Sequence, residues 1–69
     1  MPGHSFDGAA CRRLRKERGL RPESVAHVVG RSMKSLRDYE AGDAQPPVGV
    51  VADLAELFGV ELSELVTAC

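Results

Sequence analysis

Residues 22–42 read PESVAHVVGRSMKSLRDYEAG, and the rest of the chain is organised around them. Pro22 suits the first turn of a helix, because the N–H it lacks would have no partner there. Val25, Ala26 and Val29 recur at helical spacing and give one apolar stripe. Gly30 follows the last of them, where a left-handed residue most easily ends a helix. Ser32 is a good N-cap, its hydroxyl able to accept from a backbone N–H two or three residues on. Leu36 and Tyr39 then point inward at i, i+3, with Met33, Lys34, Arg37 and Asp38 on the outward side and Gly42 closing the helix. The stretch predicts two short helices hinged at Gly30–Arg31.

A helix that exposes Lys, Ser and Arg near its start, hinged to a preceding helix, has the helix-turn-helix pattern and suits the DNA major groove. Its first residues meet base edges while the preceding helix crosses the backbone. The wider stretch LRKERGLRPESVAHVVGRSMKSLRDYEAGDAQPP (residues 14–47), continued by LAELFGVELSEL (54–65), resembles the lambda-repressor/Cro, or xenobiotic-response-element, DNA-binding family. The resemblance covers residues 8–66. It implies an all-α, compact five-helix domain with the helix-turn-helix at its second and third helices. Four positions depart from the family's pattern. Pro22 stands where a phosphate-touching Gln is common, and Arg21 where a Ser or Thr cap is usual. Arg31 replaces a small apolar residue in the turn, and Pro47 replaces the cap of the fourth helix.

The resemblance also implies an ion pair between Arg15 and Glu40, fixing the reading helix against the first helix. The physical sense is a bidentate contact between guanidinium and carboxylate. Asp43–Pro47, DAQPP, is a loop whose prolines forbid helix continuation. In the family this loop passes the DNA backbone, and Gln45 is the residue here suited to touch it. The end of such domains also supplies a two-fold dimer contact, for which Leu57, Leu62 and Val66 are the apolar candidates. A weak homodimer would match half-sites about 34 Å apart.

The net charge of −1 alone argues against a nucleic-acid binder; its distribution reverses that. All nine basic residues precede position 38, where three acids accompany them, whereas residues 38–69 hold seven acids and no base. A chain divided in this way can turn one basic face to phosphates. Arg12, Arg13, Lys16 and Arg18 cannot all share that face, because consecutive helix residues point about 100° apart. Arg21 and Arg31, at the two ends of the second helix, are the better phosphate candidates, with Ser32 beside them.

Sixty-nine residues make one domain near the small end of what folds without staples. Residues 1–6 lack any period and read as a flexible N-terminal arm; residues 7–69 form the domain. Asp7 is the expected N-cap of a first helix running to about Arg18, with Ala10, Cys11 and Leu14 inward. A fourth helix, about Val48–Phe58, buries Val51, Leu54, Ala55 and Phe58. A last short helix from about Leu62 places Leu62, Leu65 and Val66 on one side. Cys11, Cys69, His4 and His27 have no zinc-binding spacing, so no metal or other cofactor is expected, and Cys11 reads as a small core residue. No apolar run approaches the ~18–20 residues of a membrane span, and no signal-peptide core opens the chain, so a cytoplasmic protein is expected.

No set of residues has the makings of a catalytic site, and an enzyme is not expected. The leading expectation is a sequence-specific DNA-binding transcriptional regulator, a repressor, reading bases with Met33, Lys34, Ser35, Arg37 and Asp38. Duplex DNA is the expected partner, with no small-molecule ligand. The alternative is a protein-interaction module that keeps the fold without specific DNA binding, favoured by the acidic balance, Pro22 and Asp38.

Overall fold

The Asp7 carboxylate accepts from the Ala10 N–H at 3.0 Å and starts the first helix of the computed structural model, which describes residues 4–68. The elements follow in the order β1 His4–Phe6, α1 Gly8–Glu17, α2 Pro22–Val28, α3 Met33–Ala41, α4 Val48–Phe58, a 3-10 turn Leu62–Leu65, and β2 Val66–Ala68. Gly42 and Gly59 terminate α3 and α4 in the left-handed conformation, with φ of 84° and 70°. A side chain would resist that backbone, so glycine at these two places sets where each helix stops.

The helices enclose one apolar core. Leu36, Leu54, Leu65, Val25 and Cys11 are its fully buried side chains, drawn from α1, α2, α3, α4 and the 3-10 turn. Burying a leucine-sized side chain stabilises by about 1.5–3 kcal/mol, so this shared centre holds the short helices together. In α1, Ala10, Cys11, Leu14 and Arg15 face inward, and Gly8 brings the start of the helix against the end of α3. A Cβ on Gly8 would fall 2.6 Å from the Glu40 carbonyl oxygen and closer still to that of Tyr39. Only hydrogen fits there.

Two expectations fail. The fold is mostly helical, with four α-helices among the described residues, rather than all-α with five. Leu62–Leu65 makes a single 3-10 turn closed by a reciprocal cap between Glu61 and Glu64. The chain then extends at Val66 and Thr67, whose branched side chains favour a strand. Leu65 is fully buried, Leu62 is 42% exposed, and Val66 lies between.

The second correction concerns the supposed arm at 1–6. His4–Phe6 pairs antiparallel with Val66–Ala68, in the register Ser5↔Thr67 and Phe6↔Val66. Phe6 is buried and meets the Tyr39 ring edge-on at 6.5 Å. Its N–H donates to the Gln45 side-chain oxygen at 2.9 Å, and the next N–H, of Asp7, donates to the Leu65 carbonyl at 2.7 Å. Residues 1–3 of that arm lie outside the described residues.

Candidate nucleic-acid interface

The turn between α2 and α3 is built from local hydrogen bonds. Gly30 adopts φ 70°, its N–H donates to the His27 carbonyl at 3.2 Å, and the Arg31 N–H donates to that of Ala26 at 2.9 Å. Late carbonyls of α2 are thereby satisfied by backbone N–H groups, without any side chain. Ser32 then starts α3: its hydroxyl accepts from the Ser35 N–H and donates to the Ser35 hydroxyl, each at 3.1 Å. At the other end of α2, Arg21 caps in an extended conformation without a side-chain bond, and Pro22 occupies the first turn. Val25, Ala26 and Val29 pack inward against Leu36 and Tyr39.

The placement of α3 relative to α1 is fixed by charge. Arg15 Nε donates to Glu40 Oε2 at 2.8 Å and Nη2 to Oε1 at 3.2 Å, while Nη1 reaches the Leu20 carbonyl at 3.1 Å. Both side chains are about nine-tenths buried. The hydrogen bond to Glu40 raises the Arg15 pKa above its already high ordinary value, against the opposing cost of burial. This arginine is a permanent cation locked between two helices.

Outward from that lock, the candidate reading residues divide. Lys34 is 85% exposed at its side chain and pairs with Asp38 one turn on, Nζ to Oδ2 at 2.9 Å. Hydrogen bonding to Asp38, then its negative charge, raises the Lys34 pKa. Ser35 is half-buried beside them. Met33 is half-buried and packs on the core cluster, so it is not the fully outward residue that spacing predicts. Arg37 is exposed but stands over a different feature. With Arg12, Arg15, Pro22, Glu40 and Ala41 it lines a cleft of about 270 Å³. Arg21 and Arg31 are exposed at the ends of α2, and the Gln45 oxygen is committed to Phe6.

The three residues proposed for a dimer contact do not share one patch. Leu62 and Val66 border an apolar groove of about 450 Å³ with Phe6, Pro46, Val48 and Val51, whereas Leu57 lies beside Val28, Asp53 and Glu56. His27 is exposed. Cys11 is buried and unbridged, its thiol pushed up to about 12, first by burial and next by the Glu40 charge, with Arg15 opposing. Among the described residues no group of three or more His, Cys, Asp and Glu could hold a metal ion, and no helix is long and apolar enough to cross a membrane.

A family model described as a helix-turn-helix domain matches residues 8–67. The chain belongs to that family, in its lambda-repressor/Cro-like branch. It is 39% identical over 56 residues to the cryptic phage CTXphi transcriptional repressor RstR of Vibrio cholerae, covering 81% of this chain and 50% of that protein. It is 40% identical over 60 residues to the uncharacterized HTH-type transcriptional regulator y4dJ of Sinorhizobium fredii, covering 87% and 78%. The domain thus spans half the length of RstR and most of y4dJ. Among solved structures, the restriction-modification controller protein C.AhdI from Aeromonas hydrophila superposes with a TM-score of 0.76 at 26% identity, over 83% of this chain and 86% of that one. A transcriptional regulator from Listeria innocua gives 0.81 at 28% identity, over 91% and 58%.

Two residues of this helix-turn-helix domain escape a reading of sequence alone. Arg18, grouped there with the undifferentiated charges of the first helix, donates through Nε to the Phe58 carbonyl at 2.6 Å. Its guanidinium carbon lies 6.0 Å from the centre of the Phe58 ring. A cation at the last carbonyls of α4 meets the negative end of that helix. Gly8 is the other: in sequence it is one more small residue after a cap, and its need appears only once α3 lies across it.

Proposed function

We propose that this domain binds duplex DNA sequence-specifically, as the reading head of a cytoplasmic transcriptional repressor. The observation that carries the reading is the outward face of α3, with Lys34 exposed and the half-buried Ser35 and Asp38 beside it, on a helix whose pose is locked by Arg15–Glu40. Laid in the major groove, that face offers a cation to guanine acceptors, a hydroxyl to either partner, and a carboxylate to a cytosine amino group. The exposed part of Met33 can pack on a thymine methyl. Arg37 adds positive charge further along the helix. Arg21 and Arg31 reach phosphates on either side of α2. Ser32 does so by exchanging its bond to Ser35, and Gln45 by the amide nitrogen that its bond to Phe6 leaves over.

The named roles of the similar proteins, a transcriptional repressor and regulators, support the same reading. A second copy docking through Leu62 and Val66 would present two such heads at half-sites about one helical turn apart. Leu57, on a separate surface, is left out of that contact.

The test is a fluorescence-anisotropy titration of duplex DNA at several salt concentrations, with wild type and Lys34→Ala side by side. Salt-dependent binding that loses base preference in the variant supports the proposal. A folded protein that fails to bind even at low salt rejects it.

A further inference from the structure

The arginines of α1 and its cap are distinguished by what they touch. Arg15 is committed to Glu40 and the Leu20 carbonyl, and Arg18 to the Phe58 carbonyl. Arg13 lies 3.7 Å from Glu17 on the exposed surface. Among the described residues, Arg12 on α1 and Arg37 on α3 make no ion pair and no hydrogen bond. Yet the two line one cleft, between the helices, with Pro22 at the start of α2 on its wall. Three arginines face one glutamate there, and Arg15 already meets that glutamate's charge. The cleft is therefore cationic.

We infer that this cleft seats a backbone phosphate of the bound duplex, held between Arg12 and Arg37. The inference rests on the DNA-binding reading and goes beyond it by naming the seat. Pro22 has neither an N–H nor a polar side chain to offer an anion, so the wall at the start of α2 lacks its own donor. The two unpaired guanidinium groups supply it, each with a planar fork that fits phosphate oxygens bidentately. Arg37 then positions the domain on the backbone rather than reading a base. Sequence discrimination is left to Lys34, Ser35 and Asp38 on the next face of α3.

The experiment is a salt-dependence series by fluorescence anisotropy, using a duplex selected from random sequence and a scrambled one. The proteins are wild type, Arg12→Ala, Arg37→Ala, their combination, and Arg13→Ala as a control for loss of charge alone. Circular dichroism verifies that each is folded. Each single change should weaken both duplexes by the same factor and lower the slope of log K against log salt by about one, the pair by about two. Arg13→Ala should leave the slope as it was.

If the double variant keeps the wild-type slope, the seat is rejected while the DNA-binding reading stands. If Arg37→Ala alters base preference, Arg37 reads a base and the seat is rejected again. Wild type without salt-dependent binding would remove both. Inorganic phosphate added at matched ionic strength competes for the seat, so it should weaken duplex binding by wild type more than by the double variant; equal weakening of the two would reject the seat.

Discussion

Arg15 and Glu40, 25 residues apart, meet through two parallel hydrogen bonds of 2.8 and 3.2 Å with almost no access to water. Each charge has lost its hydration and depends on the other. Removing one partner leaves the second buried and uncompensated, which costs about 3–5 kcal/mol, whereas replacing both with apolar side chains of similar volume is often neutral. Glu40→Gln should therefore destabilise strongly, and Arg15→Met with Glu40→Met much less than the single change. Urea denaturation reads the difference. A double variant as unstable as Glu40→Gln would mean the pair contributes net stability of its own.

Gly8 makes a separate demand at the same crossing. Its Cα lies so close to α3 that an added methyl would meet the Tyr39 and Glu40 carbonyl oxygens, which are backbone and cannot swing aside. Alanine normally favours a helix over glycine. Here Gly8→Ala should cost about 1–3 kcal/mol by forcing the two helices apart. Thermal and urea unfolding would both register it, and a neutral or stabilising result would show that α1 can shift without loss.

The parts legible in the sequence were those decided by neighbours. Asp7, Gly30, Ser32 and Gly42 each act within a few residues, so the boundaries of α1, α2 and α3 could be read from spacing. The Arg15–Glu40 pair came through family resemblance, since no local pattern links residues on different helices. Where the deciding partner is distant, the reading failed. Phe6 becomes a strand residue because Val66, Gln45 and Tyr39 receive it, and three residues are too few to show a period. Arg18 finds its acceptor 40 positions away. Leu62 and Val66 separate from Leu57 because α4 ends at the left-handed Gly59 and the chain changes direction before Leu62, so helical spacing does not carry across to predict which side chains share a face.

The thiol of Cys11 gives the domain a dependence on alkaline pH. Its folded pKa of about 12 lies above the ordinary 9.0. Below about pH 9 folded and unfolded chains both hold the proton, so the full contribution to stability is present. Between 9 and 12 the unfolded chain releases it while the folded chain cannot, so stability falls as pH rises, with a slope approaching about 1.4 kcal/mol per pH unit. Cys11→Ala should be less stable at neutral pH but show a shallower decline above pH 9. Equal slopes for the two proteins in urea titrations across that range would mean that the thiol ionises freely in the folded state.

Asp38 holds the Lys34 ammonium at 2.9 Å, on a surface where such a pair adds little to folding. Asp38→Asn should accordingly leave thermal stability almost unchanged. Its effect on DNA should be larger. In the free protein the carboxylate neutralises the cation that would otherwise displace counterions, and it repels the phosphates itself. Losing that charge should tighten binding to scrambled duplex and steepen the salt slope by about one. A selected duplex should gain less, because the carboxylate would no longer accept from a cytosine amino group or orient Lys34, and the ratio between the two duplexes should shrink. Weaker binding to scrambled DNA in Asp38→Asn would contradict this account. It would mean that Asp38 holds Lys34 in its binding pose and that the lost orientation outweighs the lost repulsion.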